Sequence, residues 1–143
     1  MVRNTLPRFA GDVATYANVI TANSTSSLVF TAPTGGARVE LVNFVTTNSA
    51  SMTAFLEVKD IASAVHTIGA LAIAAYSGTV KTAPSVDGLN ATDIPSLRTD
   101  AHANKFFDLA EHWALMVSAT ELIATANRTL TAFVNVSNLA ADS

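Results

Sequence analysis

The stretch Met52-Thr-Ala-Phe-Leu-Glu-Val-Lys-Asp60 alternates between two kinds of side chain. One face carries Ala54, Leu56 and Val58, and the other carries Thr53, Phe55, Glu57 and Lys59. A period of two residues is that of a β-strand with one buried face. Residues 129–139 repeat the pattern, with Leu130, Ala132, Val134 and Val136 on one face and Phe133 as an apolar exception on the other. Both stretches therefore predict half-buried strands.

Two further strands lie upstream of residue 52. Residues 27–31 predict a short strand that ends at the turn sequence Ala32-Pro33-Thr34-Gly35-Gly36, where proline fixes φ and glycine permits positive φ. Residues 38–47 begin with alternation and then become apolar at both Leu41-Val42 and Phe44-Val45. This strand is either buried on both faces or carries a bulge that exchanges its faces. Residues 46–51 predict a turn, and hence a hairpin with the strand at 52–60.

Weaker strand signals occur at residues 18–22, 66–82, 105–109 and 115–119. The segment 66–82 is predicted as one strand or as two pieces that separate near Gly69 or Gly78. A helix competes over residues 62–76 because alanine is the best helix former. Gly69 and the β-branched residues of this segment favour extended structure.

Two segments do not follow a strand pattern. Residues 83–104 are rich in proline, glycine and aspartate, and are too long for an ordinary connection. They predict a long ordered excursion off the sandwich, with a short helical turn near 93–98. Residues 1–14 have no clear period and predict an N-terminal arm. The remainder, 15–143, is predicted to be a single all-β domain, an antiparallel two-sheet sandwich of jelly-roll-like type.

Composition narrows the class of protein. Of the 143 residues, 50% are hydrophobic and only 13% are charged, about half the usual charged fraction. The net charge of -3 gives no basic excess for nucleic acid, so we expect no such partner. The longest apolar run, residues 68–76, is too short for a membrane helix, and the first 20 residues lack a signal-peptide core. We expect a soluble protein, made in the cytoplasm and without a membrane partner.

The sequence offers little for catalysis or for cofactor binding. It has no cysteine, and no Gly-x-Ser-x-Gly motif accompanies its three histidines. The one cluster that suggests a metal is His102 and His112, with Asp100, Asp108 and Glu111 nearby. Its spacing matches no metal motif, so we interpret these residues as polar loop positions. His66 is interpreted as a half-buried strand residue. We expect no catalytic residue, no cofactor and no metal.

Aromatic residues near the C-terminal half suggest a contact surface. Phe106, Phe107 and Trp113 lie in or beside predicted strands, which favours the core or a subunit interface. The alternative is a carbohydrate-binding sandwich that stacks sugars on Trp113 or Tyr76.

The order of strands and turns also resembles that of a known group of proteins. Phe30-Thr-Ala-Pro-Thr-Gly-Gly36 leads into Ala37-Arg-Val-Glu-Leu-Val-Asn-Phe-Val45, followed by an Asn/Ser-rich turn and a Thr-Ala-Phe-Leu-Glu-Val strand. Phe107-Asp-Leu-Ala-Glu-His-Trp-Ala-Leu-Met-Val117 and a final Thr-Leu-Thr-Ala-Phe-Val-Asn-Val strand come later. Over roughly residues 27–139 this resembles the small β-sandwich virion proteins of tailed bacteriophages, which include head decoration (cement) proteins and some tail or fibre modules.

The resemblance implies a structural, non-enzymatic role. Copies, often homotrimers, bind the major capsid protein on the outer surface of the capsid between capsomers, and stabilise it against internal DNA pressure. The excursion at 83–104 is longer than in the simplest members. A tail, neck or fibre-base module is the alternative, and the number of copies per particle would separate the two roles.

Sites for such contacts follow from position along the chain. The arm residues Arg3, Arg8 and Phe9 are the candidates for contact with the shell, because an arm can add a strand to a neighbouring sheet. Phe106, Phe107 and Trp113 are the candidates for the subunit interface. Charge is also uneven, since residues 83–108 hold Arg98, Lys105 and four acidic residues while residues 18–37 hold none. An uncharged stretch of that length is better suited to a subunit of an assembly than to a free monomer.

Overall fold

A computed structural model describes residues 13–90, 94, 97–121 and 128–139. The predicted shell-contact residues Arg3, Arg8 and Phe9 lie outside these ranges. Within these ranges lie ten strands: β1 (Val13–Ile20), β2 (Ser27–Thr31), β3 (Ala37–Thr46), β4 (Met52–Lys59), β5 (Val65–Ile73), β6 (Val86–Asp87), β7 (Arg98–Thr99), β8 (Lys105–Leu109), β9 (Ala114–Thr120) and β10 (Leu130–Asn138). The described part of the chain has no helix long and apolar enough to cross a membrane.

The strands form two antiparallel sheets packed face to face. The larger sheet has the order β1-β10-β3-β8-β7, with β6 also paired to β3, and the smaller has the order β2-β9-β4-β5. When the two-residue strands β6 and β7 are set aside, the remaining eight strands follow the orders 1-8-3-6 and 2-7-4-5. This is the strand order of a jelly roll. The predicted all-β sandwich of jelly-roll type is confirmed.

The core lies between the inner faces of the two sheets. The inner faces of β4 and β10 are the apolar faces that alternation predicts, and Leu56, Leu130 and Val134 are fully buried. At one lateral edge the rings of Tyr16 in β1 and Phe30 in β2 stack with centroids 5.1 Å apart. Apolar side chains from both sheets therefore hold the sandwich together along its whole width.

The ambiguous strand β3 contains a bulge. Asn135 of β10 pairs with Leu41, but its neighbour Val136 pairs with Val39, so Glu40 is an extra residue without a partner in β10. Val39 is buried before the bulge and Val42 is buried after it. Because one inserted residue reverses the alternation, the bulge moves the buried positions from Val39 to Val42 and Phe44. The other two apolar residues of the run, Leu41 and Val45, point outward. The second of the two predicted alternatives is confirmed.

Strand β5 is extended, and the helix that alanine favours does not form. Its register shifts at Ile68, because Leu56 pairs with Gly69 while Glu57 pairs with Thr67. The strand ends at residue 73, before a turn in which Gly78 has a φ of 78°. A strand over 66–82 is therefore wrong, and so is its division into two pieces: β5 runs through Gly69 with a bulge beside it, and Gly78 lies in the turn that follows.

The described parts of the predicted excursion pack into the sandwich. Strand β6 pairs with β3, and the Gly88 N–H donates to the Val42 carbonyl at 2.7 Å. Leu89 and Ile94 are buried in the core, with 4% and 0% of their surface exposed. The pairing of β3 with β8 is short and leaves one side of the core open. These isolated apolar residues cover that side of the core. A helical turn near 93–98 falls largely outside the described residues, and residue 98 begins β7.

Two residues that were predicted to belong to the arm lie in a strand. Val13 and Ala14 belong to β1, which pairs with β10 without interruption from residue 13 to residue 20. The first strand is therefore at 13–20, not at 18–22. The N-terminal half of β1 gave no clear signal because its inward positions, Ala14 and Tyr16, are respectively small and amphipathic.

We expect the two leucines of one strand pair to differ sharply in their contribution to stability. Leu115 in β9 is fully buried, whereas Leu28 in the neighbouring β2 is 50% exposed on the outer face. Leu115→Ala should lower the free energy of unfolding by about 2–5 kcal/mol, and Leu28→Ala by about 1 kcal/mol or less. Urea unfolding of both variants measures this, and equal losses would contradict the assignment of the inner face.

The β4–β5 turn carries an acidic residue whose pKa is lowered. The Asp60 carboxylate is bonded to His66 Nε2 at 2.8 Å and accepts the N–H groups of Ala64 and Ala62 at 3.0 and 2.8 Å, which hold its pKa below the ordinary 3.8. Because the pKa is lowered, the hydrogen bonds of the ionised Asp60 carboxylate stabilise the folded state at neutral pH. This stabilisation is lost as the pH falls through the folded-state pKa. NMR titration of the Asp60 carboxyl should give a midpoint below 3.8 that rises in His66→Ala. An unchanged midpoint in that variant would contradict the role of His66.

Candidate interaction surface

The pairing registers bring ten uncharged side chains onto the outer face of the larger sheet. In rows across β1, β10 and β3, this uncharged face consists of Val19, Thr131 and Val45; Ala17, Phe133 and Asn43; Thr15, Asn135 and Leu41; and Val13 at the end. Outward positions of an antiparallel sheet usually carry polar and charged residues. Here hydroxyl, amide or apolar side chains occupy these ten positions, and charged side chains begin only at Glu40 and Arg38 of β3.

Exposed apolar side chains are concentrated on the uncharged face. Among the described residues, eight large hydrophobic side chains are exposed, and four of them lie here: Val13, Val19, Leu41 and Phe133. Their exposed fractions are 72%, 54%, 41% and 39%. Isolated exposed hydrophobic residues are ordinary, but a group on one flat face indicates an interaction site.

Polar groups on the uncharged face bond to one another. The Thr15 Oγ1 hydroxyl donates to the Asn135 Oδ1 atom at 2.8 Å across β1 and β10. This bond satisfies two polar atoms within the sheet. Covering the face with another protein would therefore leave fewer polar groups without a partner, and the cost of desolvation is lower.

The lateral edge beside this face is also uncharged. Strands β1 and β2 form the corresponding edges of the two sheets and are linked by the bond from Asn18 Nδ2 to Ser27 Oγ, at 2.9 Å. No charged residue occurs from position 13 to position 37. At the opposite lateral edge, β7 and the turn after it carry Arg98 and Asp100. The larger sheet thus has one uncharged edge at β1 and one charged edge at β7.

A charged border ends the uncharged face at β8. The Arg38 guanidinium donates to both oxygens of Asp108, at 2.8 and 3.2 Å, and lies 4.1 Å above the Phe106 ring. The bond to Asp108 raises the pKa of Arg38 above its ordinary value. Beside this pair, a cleft of about 560 Å³ lies between β3 and the 83–104 segment, and Glu40 and Lys105 are among the residues that line it.

The three predicted subunit-interface residues do not share a surface. Phe106 pairs with Arg98 and lies on the outer face beneath Arg38, whereas Phe107 points inward from the next position of β8. Trp113, in the turn before β9, is half-buried and packs against the core. Successive residues of a strand point to opposite faces, so the sequence neighbours Phe106 and Phe107 separate. Only Phe106 stays near a surface suited to contact with another subunit.

Trp113 also bears on the carbohydrate alternative, since its ring packs on the core. Tyr76, the other stacking candidate, lies in the turn after β5 with the Arg128 guanidinium 5.9 Å from its ring centre. The two aromatic side chains therefore sit in different loops of the jelly roll.

The residues considered for a metal have other partners. Asp108 pairs with Arg38, Asp100 accepts the N–H groups of His102 and Asn104, and Glu111 accepts the Gly35 N–H. Within the described ranges, no three His, Cys, Asp or Glu side chains come together as a metal site would require. His66, predicted to be half-buried, is instead exposed at the edge strand β5, because its side chain points away from the core toward Asp60.

No protein-family model matches this chain, and no curated protein matches it significantly. Function is therefore inferred from its fold and surface. Sequence reasoning missed the uncharged face, although Phe133 on the outward side of the last strand was a visible signal of it. Val19, Leu41 and Val13 join Phe133 only through pairing between segments that are distant in the chain.

Proposed function

We propose that this chain is a structural subunit of a protein shell: a head decoration protein of a tailed bacteriophage that binds the major capsid protein on the outer surface between capsomers. In this role the chain catalyses nothing and binds no cofactor. The observation that carries the proposal is the uncharged face, with its four exposed hydrophobic side chains on one rigid sheet. Bound copies would add contacts that hold neighbouring capsomers together.

The physical argument concerns what a surface without charge is suited to do. A protein that works as a free monomer normally covers its surface with charged residues of both signs. The buried centres of interfaces between subunits are instead depleted of charge and enriched in aromatic and apolar side chains. Phe133 lies between Ala17 and Asn43 in the uncharged face. Together with its apolar neighbours, this group has the composition of such a centre.

The fold is compatible with this role without defining it. Jelly rolls build viral capsid proteins, lectin domains and cupins, and a fold alone does not assign a function. Metal-dependent members need a cluster of ligands, and a lectin needs an accessible stacking platform. The described residues lack the first, and Trp113 packs on the core. An assembly role requires neither a metal-ligand cluster nor a stacking platform, so the described residues are compatible with it.

The test is binding to shells. Expanded shells of the phage that encodes the chain, prepared without it, should bind the purified protein saturably, with hundreds of copies per particle, and become more resistant to heat. Failure to bind, or saturation at tens of copies or fewer, would contradict decoration of the capsid.

A pair of variants tests whether the uncharged face makes the contact. Leu41→Ser combined with Phe133→Ser should weaken binding to shells at least about tenfold, because truncation of hot-spot residues near the centre of an interface costs about 2 kcal/mol or more, and about 1.4 kcal/mol is a tenfold change. The control is Ile61→Ser, which removes a hydrophobic side chain that is 75% exposed in the β4–β5 turn. Equal binding by both variants, with both folded by circular dichroism, would place the contact elsewhere.

A further inference from the structure

Strand β1 leaves one side of its backbone without a partner strand in the described chain. It pairs with β10 on one side, and no described strand pairs with the other. In an antiparallel sheet, every second residue of an edge strand directs its N–H and C=O groups away from its neighbour. β1 therefore offers eight residues of regular backbone to another strand.

The other sheet edges are less suitable for pairing. β5 has a bulge at Ile68, β2 is five residues long with a register shift at Val29, and β7 has only two residues. Bulges and shortness are the features that protect edges from pairing, as are charged side chains. β1 has none of the three.

The sequence of β1 also matches itself in the antiparallel direction. Residues that face each other in adjacent antiparallel strands lie on the same face of the sheet, so outward residues must meet outward residues. A two-fold axis at Tyr16 places Val13 opposite Val19 of a second copy and Thr15 opposite Ala17 of that copy. The two exposed large hydrophobic side chains of β1, at 72% and 54%, would then cover each other.

We propose that two copies of this chain pair through β1, antiparallel and centred on Tyr16, so that their larger sheets fuse into one. The pairing forms about six to eight main-chain hydrogen bonds between the copies. It opposes no charge with a like charge, because β1 has no charged residue. It also joins the two uncharged faces into one continuous surface.

This inference rests on the assembly role proposed above but not on the virion setting. It departs from the homotrimer that the resemblance implies, because the two β1 strands meet about a two-fold axis. Two-fold contacts are the commonest in protein oligomers, since one patch serves both subunits.

The test compares charge patterns on β1 by sedimentation velocity. The unmodified protein should have the mass of two chains at micromolar concentration. Thr15→Lys with Ala17→Lys should raise the dimer dissociation constant at least tenfold, because each lysine then faces a lysine. Thr15→Lys with Ala17→Glu should restore the dimer at low salt, because opposite charges then face each other across the axis, and added salt should weaken it.

The control places the same charges on the other lateral edge. Ala70→Lys with Ala72→Lys changes two exposed outward residues of β5, also two positions apart, and should leave the dimer intact. A monomeric unmodified protein, a trimer insensitive to the β1 variants, or a Lys/Glu variant as monomeric as the Lys/Lys variant would each overturn the proposal. If the unmodified protein is monomeric but still binds shells, the decoration role stands and only the proposed β1 contact is wrong.

Discussion

Each strand of the sandwich has to bury one face against the opposite sheet, and this constraint decides which side chains reach the surface. The inner face takes Leu56, Leu130, Val134 and their neighbours, because apolar area removed from water stabilises the fold by roughly 25 cal/mol per Å². The alternate positions must then face outward. In β1, β10 and the part of β3 after the bulge at Glu40, those positions carry no charge, so the core determines the location of the uncharged face.

Local alternation was enough to predict the strands in which polarity changes at every residue. β4 and β10 are of this kind, and their boundaries are off by one residue at most at each end. β3 required tertiary information, because a bulge at Glu40 and burial on both faces give the same run of apolar residues. The predicted position of β1 was wrong because Tyr16 is held inward by its stack on Phe30. Alternation within β1 does not reveal that partner.

The candidate site was harder to predict than the fold. Val19, Thr131 and Val45 form one row of the surface, and their separation along the chain hides that row until the register is known. Reasoning from sequence proximity grouped Phe106 with Phe107, which the strand places on opposite faces. The segment 83–104 was predicted to be an excursion because of its loop-like composition. In the structure, Leu89 and Ile94 are buried in the core and hold the segment against the sandwich.

The larger sheet has an uncharged edge at β1 and a charged edge at β7. The edge strand β1 and the uncharged face adjoin each other, so the proposed strand pairing and the proposed face-to-face contact would use one continuous region. Hydrogen–deuterium exchange at low and high protein concentration tests this account most directly. The account predicts that β1 amides facing away from β10 become protected as concentration rises, while β5 amides do not change. Protection confined to β5, or none at β1, would contradict it.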